Sequence, residues 1–229
     1  MAAVPPADSL TGGTWQVEWR SGSAAELHAR PLEPGRFVEA LSVSAPAFVL
    51  GSTQPDTDID DAALRATGIE LVRRRSGGGG VLLLPGRSSW IDVTISRNDP
   101  LWKDDVGAAF HWLGEAWAAA VRTLGIEATV HVGKPVETEW SRRVCFAGIG
   151  SGEVVVGGRK LVGISQRRTR DAARFQCIVH RVWDPVPLLG LLAIGVHERA
   201  NGVLALLDVG AALNVETGQL VSALLATLP

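Results

Sequence analysis

The chain has 229 residues, 46% hydrophobic and 20% charged, which suits one well-buried domain over 1–229 and is short for two. Its 22 basic and 24 acidic residues leave a net charge of −2, so the protein is no general binder of nucleic acid or membrane surfaces, and any basic site must be local. The N-terminus lacks a basic n-region and an apolar h-region, and the longest apolar run, 187–196, is about half a bilayer span. A cytoplasmic location is expected, with Cys145 and Cys177 reduced. Neither these cysteines nor the histidines have ligand spacing, so no metal held by protein side chains is expected.

Residues 1–13 are rich in Pro, Ala and Gly and should fray. The alternation of 14–19 predicts a half-buried strand, and 23–27 a short helix before Pro31 and Pro34. An apolar strand follows at 47–51, then a helix over 60–66 that Gly68 ends. Residues 69–73 read as a strand feeding a glycine turn, with 81–84 as its continuation before Pro85-Gly86. From 90 to 96, Ile91, Val93 and Ile95 fall on one face and Trp90, Asp92 and Thr94 on the other. One face is expected in the core, with the other free to look toward a site. Asp104 is the expected cap of a helix whose apolar positions run from Val106 through Phe110, Leu113, Trp117 and Val121 to Leu124. The two-residue Gly157-Gly158 link between 153–156 and 159–166 predicts a hairpin. A third strand, 175–183, should end at Pro185-Val186-Pro187, and helices are expected near 204–213 and 219–228. The fold class is α+β: a mostly antiparallel mixed sheet packed against helices.

The segment Arg73-Arg74-Arg75-Ser76-Gly77-Gly78-Gly79-Gly80-Val81 stands out, because three cations run into four glycines. Glycines let a ligand lie against the backbone, successive N–H groups can form an anion nest, and arginine matches carboxylate or phosphate. The pattern fits a site for an acidic small molecule, and equally a flexible turn with a basic shoulder. No Gly-Lys-Ser/Thr follows, and Leu82 stands where a dinucleotide fingerprint needs its third small residue. Only three of the cations are lysines, and Lys160 lies just past the Gly-Gly turn.

The Arg-Arg-x-Ser-Gly-Gly-Gly block resembles the signature of the lipoate-protein ligase and octanoyltransferase family, whose catalytic fold is shared with biotin-protein ligases. The segment 157–168, Gly-Gly-Arg-Lys-Leu-Val-Gly-Ile-Ser-Gln-Arg-Arg, is similar to that family's lysine block, and 46–54 to its leading strand. The resemblance implies acyl-AMP formation from lipoate or octanoate and ATP with Mg, then transfer to a lysine of a lipoyl acceptor domain. That acceptor would belong to a 2-oxoacid dehydrogenase complex or be a glycine cleavage H-type protein. By the same carry-over, Arg74, Ser76, Gly77, Gly78 and Gly79 line the acyl and nucleotide cleft. Lys160 is the catalytic cation at the acyl–phosphate junction, and Gly163 keeps the neighbouring wall clear. Loss of Lys160 is then expected to spare the fold and abolish transfer.

Several features depart from the family. Leu83-Leu84 replaces a His-Asp pair, Cys177-Ile178 replaces a His-Gly pair, and the C-terminal accessory domain of many ligases is not expected. Two alternatives follow. In the octanoyltransferase branch, Cys145, in a Cys-Phe pair upstream of the lysine block, would take the acyl group from an acyl-carrier-protein thioester without ATP. A degenerate member would bind an acyl group or a partner without catalysis.

Overall fold

A computed structural model describes residues 15–229; the segment 1–13, expected to fray, lies outside them. The chain begins with β1 (Gln16–Gly22), α1 (Ala24–Ala29), β2 (Phe37–Val43) and β3 (Ala47–Leu50). There follow α2 (Asp61–Thr67), β4 (Glu70–Arg73), β5 (Val81–Leu83), β6 (Ser88–Ser96) and α3 (His111–Thr123). The strands β7 (Thr129–Val130), β8 (Val154–Val156), β9 (Arg159–Arg168) and β10 (Ala172–His180) precede α4 (Pro185–Leu189), α5 (Val196–Leu206) and α6 (Thr217–Leu225). Seven strands form one sheet in the order β1-β2-β6-β10-β9-β8-β7, antiparallel except for the β1–β2 pair, and three form a second in the order β4-β3-β5. The α+β class expected from the sequence is the one observed.

The alternation of β6 sorts the large sheet into two faces. Ile91, Val93 and Ile95 join Leu113 and Trp117 of α3 and Leu220 and Leu224 of α6 in the main core. Trp90, one residue out of phase, belongs instead to a cluster with Leu27, Val49, Val72 and Val81, so the small sheet covers that face. The apolar run of β3 follows from its position: Val49 looks toward the large sheet, whereas Phe48 and Leu50 pack outward with α2, α4 and α5. A strand buried on both faces has no polar side to alternate.

Some boundaries differ from the sequence expectation. Asp104 does not cap α3. Asp105 accepts from the Ala108 N–H at the start of a 3-10 turn, the helix begins only at His111, and Val106 is exposed. The prolines 185 and 187 do not terminate β10, which ends at His180. They open α4, where Asp184 caps and Pro185 takes the first-turn position that needs no N–H partner. Strand β2 escaped the pattern reading because Glu39 sits among its apolar residues; Glu39 is buried there and paired with Arg30. The helix expected over 204–213 lies earlier, at 196–206. Strands β4 and β5 do not continue one another. Both flank β3, so the segment between them must cross the end of that strand.

Candidate active site

The crossing segment is the glycine loop, and Arg74 is its internal support. Its side chain is 5% exposed and its guanidinium donates to the carbonyls of Val49 (3.3 Å), Gly77 (2.6 Å) and Gly79 (2.9 Å). The fork expected to meet a ligand anion is thus largely occupied by its own loop. The loop seats against the segment 141–145. A Cβ at Gly79 would lie 2.7 Å from the Val144 nitrogen, which no larger residue tolerates. Gly80 N–H donates to Arg143, and Cys145 N–H donates to Gly80 O at 3.0 Å. Ser76 Oγ, also buried, donates to Gln176 Oε1 (3.1 Å) and lies 3.0 Å from Ser165 Oγ. Arg73 ties down the turn after β3 through the carbonyls of Gly51 and Gln54.

Lys160 is buried, not a solvated hairpin cation. It is only 2% exposed, and its backbone is clamped by 209–211 through Lys160 N–H to Val209 O and Ala211 N–H to Lys160 O. Nζ donates to the main-chain oxygen of Cys145 at 2.7 Å and pairs with Glu153 Oε2, also at 2.7 Å. Glu153 further accepts from the N–H groups of Gly150 and Ile164, so the carboxylate is fully engaged. Sequence reasoning missed Glu153. The hairpin that placed Lys160 beside β8 pointed to it, since Glu153 is the residue immediately before that strand.

Two spaces meet at Cys145. A small cavity of about 40 Å³ lies between the sheets, with walls that include Val49, Val81, Leu83, Trp90, Phe146 and Ile178. A wider cleft of about 390 Å³ is bordered by Gly77–Gly79, Glu153 and Lys160. Cys145 borders both, and it is partly exposed. Arg74 and Gly163 line the cavity; a Cβ at Gly163 would stand 3.1 Å from the Phe146 ring and narrow it. The family departures now have a location. Leu83 and Ile178 are cavity wall, and Cys177 points into the main core, where burial pushes its thiol pKa far up. Among the described residues no group of three or more His, Cys, Asp or Glu is placed to hold a metal ion.

Two histidines flank this region, and both are held neutral. Burial, with Arg74 next, lowers the His28 pKa to about 3. Burial and then Lys160 lower that of His180 to about 4. His180 lies beside the Phe146 and Trp183 rings and bonds Ser88. Neither histidine was singled out in the sequence, because nothing in their spacing places them beside the glycine loop.

Residues 35–205 match the family model described as the lipoyl protein ligase A/B catalytic domain. The chain belongs to that family. Relatives of this lipoyl ligase A/B chain include the octanoyltransferase LipM of Moorella thermoacetica, 33% identical over 127 residues, covering 55% of this chain and 46% of that protein. LipM of Kyrpidia tusciae is 34% identical over 141 residues, covering 59% and 50%. The chain spans about half the length of the curated relatives it matches. Its fold is that of a bi-partite lipoate protein ligase from Thermoplasma acidophilum, with a TM-score of 0.70 at 17% identity over 92% of this chain and 80% of that one. A lipoate-protein ligase A bound with ATP gives 0.63 at 18%, covering 91% and 81%. Among the described residues no helix is long and apolar enough to cross a membrane.

Proposed function

We propose that this protein transfers a medium-chain acyl group, octanoyl in the simplest case, from a carrier thioester to the lysine of a lipoyl acceptor domain through a thioester on Cys145. The observation that carries this reading is the position of Cys145, a partly exposed thiol where an apolar cavity meets a wider cleft. The cavity suits an alkyl chain, whose burial contributes about 0.8 kcal/mol per CH₂. The cleft leaves room for the carrier arm and then for the acceptor lysine. The likeness to proteins named octanoyltransferase LipM points the same way.

In the first half-reaction the Cys145 thiolate attacks the donor carbonyl carbon, the bond to the carrier sulfur breaks, and the carrier leaves as its thiolate. In the second, the acceptor amine attacks the Cys145 thioester; an amide forms and the amine's proton ends on the released thiol. Arg74 and Cys145 line the same cavity. Lys160, bonded to the carbonyl of Cys145, brings a second cation close to the oxyanion that develops in both steps.

An ATP-dependent ligase is the second reading, favoured by the breadth of the cleft beside Gly77–Gly79 and Lys160. It is weakened because both cations that would meet a phosphate are bonded within the protein. Intact-mass analysis separates the two. Wild type incubated with octanoyl-carrier protein and no ATP should gain one octanoyl group and pass it to a lipoyl domain, whereas Cys145→Ser should lose at least about 10³-fold in transfer. Transfer from free acid plus ATP with undiminished Cys145→Ser activity establishes the ligase reading instead.

A further inference from the structure

The acyl cavity contains a polar group that an alkyl chain cannot satisfy. His28, from α1, lines the cavity with its ring 4.5 Å from that of Trp90. A chain of hydrogen bonds fixes its tautomer. Ser76 donates to Gln176 Oε1, which leaves Gln176 Nε2 to donate to His28 Nδ1 at 3.2 Å. With the ring neutral and Nδ1 accepting, the proton resides on Nε2. Nε2 is buried and has no hydrogen-bond partner. His28, on α1, also lies outside the family match at 35–205.

The sheet register separates the two ends of the cavity. Gly163, against Phe146, pairs with Ile178, and Ile178 pairs on its other side with Trp90. Two strand spacings, roughly 10 Å, therefore separate the Gly163 end of the cavity from the Trp90–His28 end. A chain held by its carbonyl at Cys145 runs past Gly163 and Ile178 and brings its distal half to His28.

We infer that His28 is a specificity-determining donor of this cavity, selecting acyl chains that carry a hydrogen-bond acceptor in their distal half over plain alkyl chains of equal length. The inference rests on the reading that the cavity holds the acyl chain. The acceptor is an oxygen, as in a keto-acyl group, or the weaker sulfur of a cyclic disulfide. An octanoyl chain leaves the Nε2 proton buried and unpaired, and the corresponding penalty disfavours it by roughly 5- to 150-fold against a chain that pairs it.

The test compares N-acetylcysteamine thioesters of octanoate, 7-oxooctanoate and lipoate as donors to wild type, His28→Leu and His28→Gln, with the acyl-enzyme read by mass. Wild type should show the highest kcat/KM for the oxo chain, then lipoyl, then octanoyl. His28→Leu should bring the oxo/octanoyl ratio down toward one by raising octanoyl, while His28→Gln, which keeps a donor, should retain a preference. Calorimetric binding of the three free acids to the same variants reads His28 without any transfer. If no thioester acylates the wild type but the acids bind with the His28-dependent order, the transferase reading fails and this inference stands. Equal ratios in wild type and His28→Leu, in binding or in transfer, overturn it, as does a structure with octanoate bound in which an ordered water satisfies Nε2.

Discussion

On one face of the large sheet Ile91, Val93, Phe175 and Cys177 meet Leu113, Trp117 and Leu220. One residue along the same strands, on the opposite face, stand Trp90, Asp92, Gln176 and Ile178, which border a cavity or carry charge. Asp92 is fully buried, pairs with Arg30 at 3.2 Å and accepts from the Trp90 indole at 2.6 Å. It thereby holds the ring against which His28 rests. The first face is filled, as a core must be; the second is held apart by hydrogen bonds and ion pairs so that a space remains. The comparison teaches that strand alternation here separates stability from function more cleanly than any boundary along the chain.

The sharpest way to break that separation is at Lys160, where the two roles coincide. Because Lys160 and Glu153 form a buried pair, Lys160→Ala leaves a carboxylate buried with no cation and should cost about 3–5 kcal/mol. The sequence expectation, formed without Glu153, is that the fold is spared, and the two expectations differ in the melting temperature they give. Replacing both partners, Lys160→Met with Glu153→Gln, should recover most of the melting temperature without recovering transfer. Denaturation and the transfer assay on the single and double variants check it. Recovery of activity in the double variant would show that Lys160 acts only as a structural counter-ion.

Much of the fold was legible because its signals are local. The Gly157-Gly158 hairpin, the Asp60 and Gly68 ends of α2 and the 91/93/95 alternation each depend on a few neighbouring residues, and all are present. The glycine loop and Lys160 were visible as motifs. Their partners were not, since Arg74 bonds its own loop, Glu153 bonds Lys160 across a hairpin, and His28 meets Gln176 from 148 residues away. Such contacts depend on which strands pair, and the pairing of β3 between β4 and β5 has no local signature.

A smaller effect sharpens the contrast between the two faces. Val93→Phe enlarges a residue with no space around it and should destabilise by about 1–3 kcal/mol. Val49→Phe makes the same enlargement at the cavity wall, beside about 40 Å³ of open space. It should change stability by less than Val93→Phe while blocking acylation by an octanoyl thioester. Melting curves and intact mass on the two variants test this, and equal destabilisation would mean that the cavity is packed as tightly as the core.

The smallest expected effect is in the pH dependence of stability, and it too divides by face. His28 and His180, on the site side, have folded pKa values of about 3 and about 4 against an ordinary 6.5. Below pH 6.5 the unfolded chain therefore binds protons that the folded chain refuses, and stability falls as pH drops toward 4. One unit below the ordinary value, at pH 5.5, each histidine contributes a loss on the order of 1 kcal/mol. Asp92 acts in the opposite sense. Burial raises its pKa from 3.8 to about 6 against the pull of Arg174 and Arg30, so the folded state takes up its proton first and regains stability between pH 6 and 3.8. Urea denaturation from pH 7 to 5 should thus show a net decline in the wild type. His180→Phe keeps a ring beside Phe146 and Trp183 and should flatten that decline, whereas Asp92→Asn should steepen it. The slopes carry the test, because either substitution also shifts the overall level. A His180→Phe slope equal to that of the wild type would mean that His180 is protonated in the folded protein despite its burial beside Lys160.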